Sequence, residues 1–174
     1  AYTDSISGRF GAAAVLAALD YRCRTGQGQH IDLSQYEAGL QFLIPPLLDC
    51  ASSGRVLRRN GNRHSYAAPH GVYPCKGDDR WGAIAVFTNE EWRALCQAIG
   101  EPTLADDPRY ATVLSRKSNE EEVDRLVEQW TLKYSAEEVM SRLQAAGVSA
   151  GLVATAEDLH RDPQLEARQH FRTL

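Results

Sequence analysis

Hydrophobic and polar positions along this 174-residue chain follow two different rules in its two parts. From Gly8 to Arg24, Phe10, Ala13, Val15, Leu16, Ala18, Leu19 and Tyr21 leave no wide polar face, which predicts a helix buried on most of its sides. Arg22 and Arg24 sit in its last turn, where cations suit the negative end of the helix dipole, and "TGQGQ" supplies glycine for the stop. "QHIDLS" then alternates like a strand and runs into a second apolar helix that Pro45 and Pro46 kink or end. Further along, the pattern becomes amphipathic. Trp92, Leu95, Cys96 and Ile99 precede Gly100, Val123, Leu126, Val127 and Trp130 recur at helical spacing, and Val139, Met140 and Leu143 precede Gly147.

Helix starts are marked by Ser/Thr-x-x-Glu/Asp, in which the hydroxyl and the acid satisfy each other's backbone donors. The pattern occurs at Ser34/Glu37, Thr88/Glu91, Ser118/Glu121, Ser135/Glu138 and Thr155/Asp158, and each pair is expected to open a helix. Strands are expected at "HGVYPC" and "RWGAIAVF", joined as a hairpin through "KGDD", and at "SAGLVA". The fold class that follows is α/β, helix-rich with a small sheet. Residues 1–50 form a unit that wants more apolar partners than it brings, residues 51–69 a basic linker, and residues 70–174 a small α+β domain. From Cys50 to Gly77 there is no acid, but there are Arg55, Arg58, Arg59, Arg63 and Lys76. Such a segment either binds phosphate or carboxylate groups or is a solvated linker whose arginines pair with acids elsewhere.

Composition narrows the class. With 43% hydrophobic and 24% charged residues the chain is globular, and its net charge of −4 gives no reason to expect nucleic acid or a membrane surface as partner. The longest uncharged apolar stretch, near "AGLQFLIPPLL", is too short to span a bilayer, and no secretory signal is expected. Cys23, Cys50, Cys75 and Cys96 match neither a zinc ribbon nor a redox pair and are expected as free thiols in a reducing cytoplasm. His64 and His70 lack a nearby Cys or acid, so no metal site is expected, and neither a G-x-S-x-G elbow nor a phosphate-binding glycine loop occurs. The first residue is alanine, as in a piece of a longer protein or a chain trimmed of a tag.

One carboxylate stands out. In "YTDSISG" Asp4 lies among small hydroxylated residues directly before the first apolar run. On residue pattern alone it reads as a helix cap, whose side-chain oxygen accepts from first-turn N–H groups, because caps far outnumber nucleophiles; the same position could instead hold an ionised nucleophile at the positive end of a helix.

The segment "YTDSISGRFGAAAVLAALDYRCRTGQGQHIDLSQYEAGL", with "GNRHSYAAPHGVYPCKGDDRWGAIAVFTNEEWRALC" and "DPRYATVLSRKSN", closely resembles the family III CoA-transferases, a group that also contains the α-methylacyl-CoA racemases. The resemblance runs through essentially the whole chain. It implies a portion of that fold: the tail of the large CoA-binding domain with the catalytic Asp, the linker and the small domain. It implies Asp4 as the catalytic carboxylate, and Gly61, Asn62, Arg63 and His64 as CoA or substrate contacts. Relatives are usually more than twice this length and interlock as dimers, so a homodimer is implied. The substrates implied are an acyl-CoA and a carboxylic acid acceptor, with CoA thioester as substrate and no permanently bound cofactor. The reaction implied is CoA transfer through a covalent aspartyl intermediate. Two alternatives stand beside it: a racemase in which the matching Asp moves the α-carbon proton, and a non-catalytic remnant that folds and dimerises. "GNRH" and "PHGVYPC" look more like the transferase branch.

Overall fold

The computed structural model describes residues 2–172. The chain divides into two compact units, Ala1–Arg59 and Asn60–Leu174.

The first unit is helical. Helix α1 spans Tyr2–Thr25, α2 Gln35–Leu40 and α3 Ile44–Ser53, with a 3-10 turn at Gln41–Leu43 between the last two. Helix α1 therefore starts before Asp4, which lies in its first turn and is not a residue preceding it. The apolar character of α1 does not translate into burial within this chain. Leu16 is 66% exposed, and Phe10, Val15 and Leu19 are exposed too, because a helix without a polar face needs neighbours on all sides and this unit supplies chiefly α2. "QHIDLS" forms no strand, since alternation alone leaves its backbone without a ladder partner. The apolar helical stretch breaks where the prolines stand: the 3-10 turn at Gln41–Leu43 separates α2 from α3, and Pro45 and Pro46 in the first turn of α3 have no N–H to bond back to the residues of that turn.

The second unit holds a three-stranded antiparallel sheet of order β1-β2-β3, formed by His70–Pro74, Trp81–Ala85 and Ser149–Leu152. The register pairs Tyr73 with Gly82 and Ile84 with both Gly71 and Ala150. Period-two alternation puts Tyr73, Ile84 and Val86 in the core. They pack with Trp92, Leu95 and Cys96 of α4 (Asn89–Ile99), Val123 and Val127 of α6 (Glu120–Thr131), and Val139 and Leu143 of α7 (Ala136–Ala145). The short helices α5 (Val113–Ser118), α8 (Ala156–His160) and α9 (Pro163–Ala167) complete the unit.

Four of the five capping pairs open helices: Ser34 caps α2, and full capping boxes form at Thr88, Ser135 and Thr155. Ser118 does not. It is the last residue of α5, and its hydroxyl donates back to the Leu114 carbonyl at 3.1 Å. The box that opens α5 is Thr112 with Ser115, in which a serine hydroxyl takes the place of the expected acid. Arg80 ties the hairpin to the helices through Glu137 and through Asp158, the latter at 2.7 Å. Among the described residues no helix is long and apolar enough to cross a membrane.

Candidate active site

In the first unit the site is built around Asp4. Ser34 holds extended backbone and accepts from the Glu37 N–H, so α2 begins at Gln35 with its amide turned toward the first turn of α1. Gln35 Nε2 donates to Asp4 Oδ1 at 2.5 Å and to Thr3 Oγ1 at 3.3 Å, while Ser7 Oγ donates to the Gln35 carbonyl at 3.3 Å. The two helices close this tightly because α2 carries Gly39 at the contact: a Cβ there would stand 2.7 Å from Thr3 Cγ2. Asp4 is exposed, as a carboxylate that reacts with an incoming molecule must be. The Gln35 amide fixes the orientation of one Asp4 carboxylate oxygen, and a held orientation suits a nucleophilic or proton-accepting carboxylate.

Gln35 did not emerge from the sequence as a site residue. The signal for it was present, because the Ser34/Glu37 pair fixes where α2 starts and so which side chain follows the cap.

In the second unit, residues 60–63 form a tight turn in which Gly61 adopts φ 57° and the Arg63 N–H donates to the Asn60 carbonyl, and His64 follows in an isolated bridge with Ala67. His70 Nδ1 lies 2.6 Å from the Asn62 carbonyl oxygen, joining the turn to the start of β1. The Arg63 guanidinium stands 3.8 Å from both Glu120 and Asp124, and Asp124 also accepts from the Tyr73 hydroxyl at 2.7 Å. Burial, followed by that carboxylate, pushes the Tyr73 phenol far above its ordinary range and keeps it a donor. The His64 ring packs edge-on against Tyr66 and Phe87 and beside His70. Gly61, Asn62 and Arg63 form one wall of an open cavity of about 570 Å³, whose floor is the sheet face bearing Ala83, Ala85 and Gly151.

The basic segment resolves into separate fates. Arg55 pairs with Asp49 at 2.6 Å and Arg63 faces its two acids, so these two arginines have acidic neighbours as a solvated linker's would. Among the described residues no group of three His, Cys, Asp or Glu side chains converges as a metal site. The four cysteines are free thiols; Cys75 and Cys96 are buried, Cys23 and Cys50 exposed.

Comparison with known proteins adds a family. The profile of CoA-transferase family III matches residues 1–174. The chain is 37% identical over 173 residues to the "Probable CoA-transferase Rv1866" of Mycobacterium tuberculosis, covering 99% of this chain and 22% of that protein. It is 36% identical over 166 residues to the succinyl-CoA–D-citramalate CoA-transferase of Chloroflexus aurantiacus, covering 95% and 41% respectively. A CAIB/BAIF family protein from Brucella suis superposes with a TM-score of 0.83 at 30% identity over 96% of this chain and 44% of its own. The chain thus spans less than half the length of these relatives, and its helix-rich architecture with a small sheet is a portion of their fold.

Proposed function

Because the chain belongs to CoA-transferase family III, we propose that it serves the transfer of CoA from an acyl-CoA thioester to a carboxylic acid, with Asp4 as the covalent nucleophile. The observation that carries this reading is the exposed Asp4 carboxylate held by Gln35 at 2.5 Å. A carboxylate oxygen attacks the thioester carbonyl, the C–S bond breaks, and CoA thiolate leaves behind an aspartyl–acyl anhydride. The thiolate returns to the Asp4 carbonyl, releasing the donor acid and leaving an aspartyl-CoA thioester. The acceptor carboxylate attacks that thioester and displaces CoA thiolate, and the thiolate then attacks the acceptor's carbonyl in the new anhydride. Acceptor-CoA departs and Asp4 is a carboxylate again. Each exchange conserves the thioester bond energy that hydrolysis would dissipate, which makes fixed geometry around Asp4 worth more than strong activation of a base.

Gly61, Asn62, Arg63 and His64 are proposed as CoA or substrate contacts, supported by the guanidinium on the cavity wall, whose charge suits a carboxylate or phosphate. Succinyl-CoA heads the candidate donors because the names of several relatives specify it. A homodimer is proposed as the working assembly, in line with the exposed apolar surface of the first unit, where Leu16 and Leu48 are 66% and 64% exposed.

The test is intact-mass spectrometry after incubation with acyl-CoA thioesters, succinyl-CoA first, with Asp4→Asn in parallel. An added mass on the unmodified protein that is absent from the variant is expected. Deuterium exchange at the α-carbon of a 2-methylacyl-CoA without any adduct would replace this reading with acid–base racemisation. Neither signal, with no saturable CoA binding, would mean that the chain alone does not catalyse.

A further inference from the structure

Arg116 is fully buried, and among the described residues every acceptor of its guanidinium is neutral. It donates to the carbonyls of Ala68 at 2.7 Å, Tyr110 at 2.9 Å and Thr88 at 3.2 Å, and to the Asn89 side-chain oxygen at 3.3 Å. Its plane lies over the Trp92 ring, 5.2 Å from the centroid. Burial pushes the guanidinium down to about 10, so it remains a cation at neutral pH. A buried cation without a carboxylate is a costly way to satisfy carbonyls, and removing it leaves several of them unpaired. The next residue, Lys117, sends its ammonium to the His64 carbonyl at 2.7 Å and to Glu120 at 2.6 Å.

We infer that Arg116 and Lys117 are positioning residues that fix the segment 61–70, and with it the Arg63 guanidinium on the cavity wall. The inference rests on the reading of residues 61–64 as CoA or substrate contacts. Adjacent on α5, the two cations seize carbonyls four residues apart, His64 and Ala68. Within that span His64 and Ala67 form an isolated bridge, and outside it the Asn62 carbonyl meets His70. Lys117 also engages Glu120, one of the two acids that face Arg63. At 3.8 Å from each acid, Arg63 is aligned by charge without a close hydrogen bond to either, and its side chain keeps 42% of its surface exposed. That is the state of a guanidinium able to exchange its neighbours for an incoming anion. A lysine at 116 has one compact charge and cannot reach four acceptors arranged around a planar fork.

The experiment compares Lys117→Met, Arg116→Lys and Arg63→Ala with the unmodified chain by amide hydrogen exchange and by the acyl-CoA concentration dependence of adduct formation. In Lys117→Met, exchange at residues 62–68 is expected to accelerate by about tenfold, from the loss of the charge-assisted hydrogen bond to the His64 carbonyl. Core amides of α6 and α7 should stay as protected as before. The half-saturating acyl-CoA concentration should rise several-fold at nearly unchanged maximal rate, in parallel with Arg63→Ala. Arg116→Lys should give the same local exchange signature. Unchanged exchange at 62–68 in Lys117→Met, or acceleration spread evenly over the unit, would overturn the inference. If Arg63→Ala leaves the concentration dependence unaltered, the reading of residues 61–64 fails; in that case, or if the chain alone forms no adduct, exchange at 62–68 by itself decides the positioning role.

Discussion

Gly39→Ala tests whether the close approach of α1 and α2 holds Asp4 in place. In an open helix the change would stabilise by about 1 kcal/mol, since Gly is the poorer helix former. Here the new Cβ would stand 2.7 Å from Thr3 Cγ2, where ordinary contact begins about 0.7 Å further out, and overpacking of that kind costs about 1–3 kcal/mol. Threonine is stiff at χ1, and turning it would withdraw the Oγ1 that accepts from Gln35, the same amide that holds Asp4. The net expectation is a loss of about 0–2 kcal/mol together with slower adduct formation at Asp4. Thr3→Ser removes the γ-methyl and keeps a hydroxyl. In that background Gly39→Ala should recover its helix gain, giving a coupling of about 1–3 kcal/mol in a double-mutant cycle. Two units make a global melt an ambiguous readout, so the cycle is measured by hydrogen exchange at the α2 amides, with adduct rate as the functional counterpart. Equal effects of Gly39→Ala in both backgrounds would refute the reasoning, because the contact with Thr3 would then carry no energy.

Gln35→Ala should slow adduct formation at Asp4 by about one to two orders of magnitude in single-turnover kinetics while the second unit's hydrogen exchange is unchanged, and an unaltered rate would exclude a positioning role for its amide. Thr88→Ala removes the hydroxyl that accepts from the Glu91 N–H in the α4 capping box, and should cost the second unit about 1 kcal/mol in urea unfolding. Leu143→Ala, fully buried in the core, should cost about 2–5 kcal/mol in the same assay, and a smaller loss would mean that α7 relaxes into the space. Burial raises the Cys96 thiol from 9.0 to about 12 and the Tyr110 phenol from 10.0 to about 12. The unfolded chain therefore releases protons that the folded chain retains, and stability should fall as pH rises from about 9 to 12. Cys96→Ala should make that decline shallower, and the native chain at pH 8 should be alkylated at Cys23 and Cys50 only, as read by peptide mass mapping.

What the residues themselves encoded is the local structure of the second unit. Thr88/Glu91, Ser135/Glu138 and Thr155/Asp158 are self-contained capping boxes, and Gly100 ends α4 in the left-handed conformation that glycine tolerates. Apolar residues at spacings of two and 3.6 fixed the faces of β2, α4, α6 and α7, because burial follows from periodicity once one face is apolar. The same local logic failed at "QHIDLS" and Ser118. A strand requires a partner that alternation cannot supply, and Ser118 found a carbonyl in the turn behind it.

At the candidate site the sequence identified Asp4 by resemblance and residues 61–64 by the same route, but it held no record of their neighbours. Gln35 lies 31 positions beyond Asp4, and Lys117 lies 53 beyond His64. Contacts of that separation are set by how elements pack in the folded chain, not by any repeat along it. The sequence by itself determined where α2, α4, α7 and α8 start, which faces seek burial and which carboxylate deserves suspicion. Only the tertiary structure decided that a glutamine orients that carboxylate and that buried Arg116 fastens the 61–70 segment, because a hydrogen bond depends on distance and angle, and folding alone brings its two ends together.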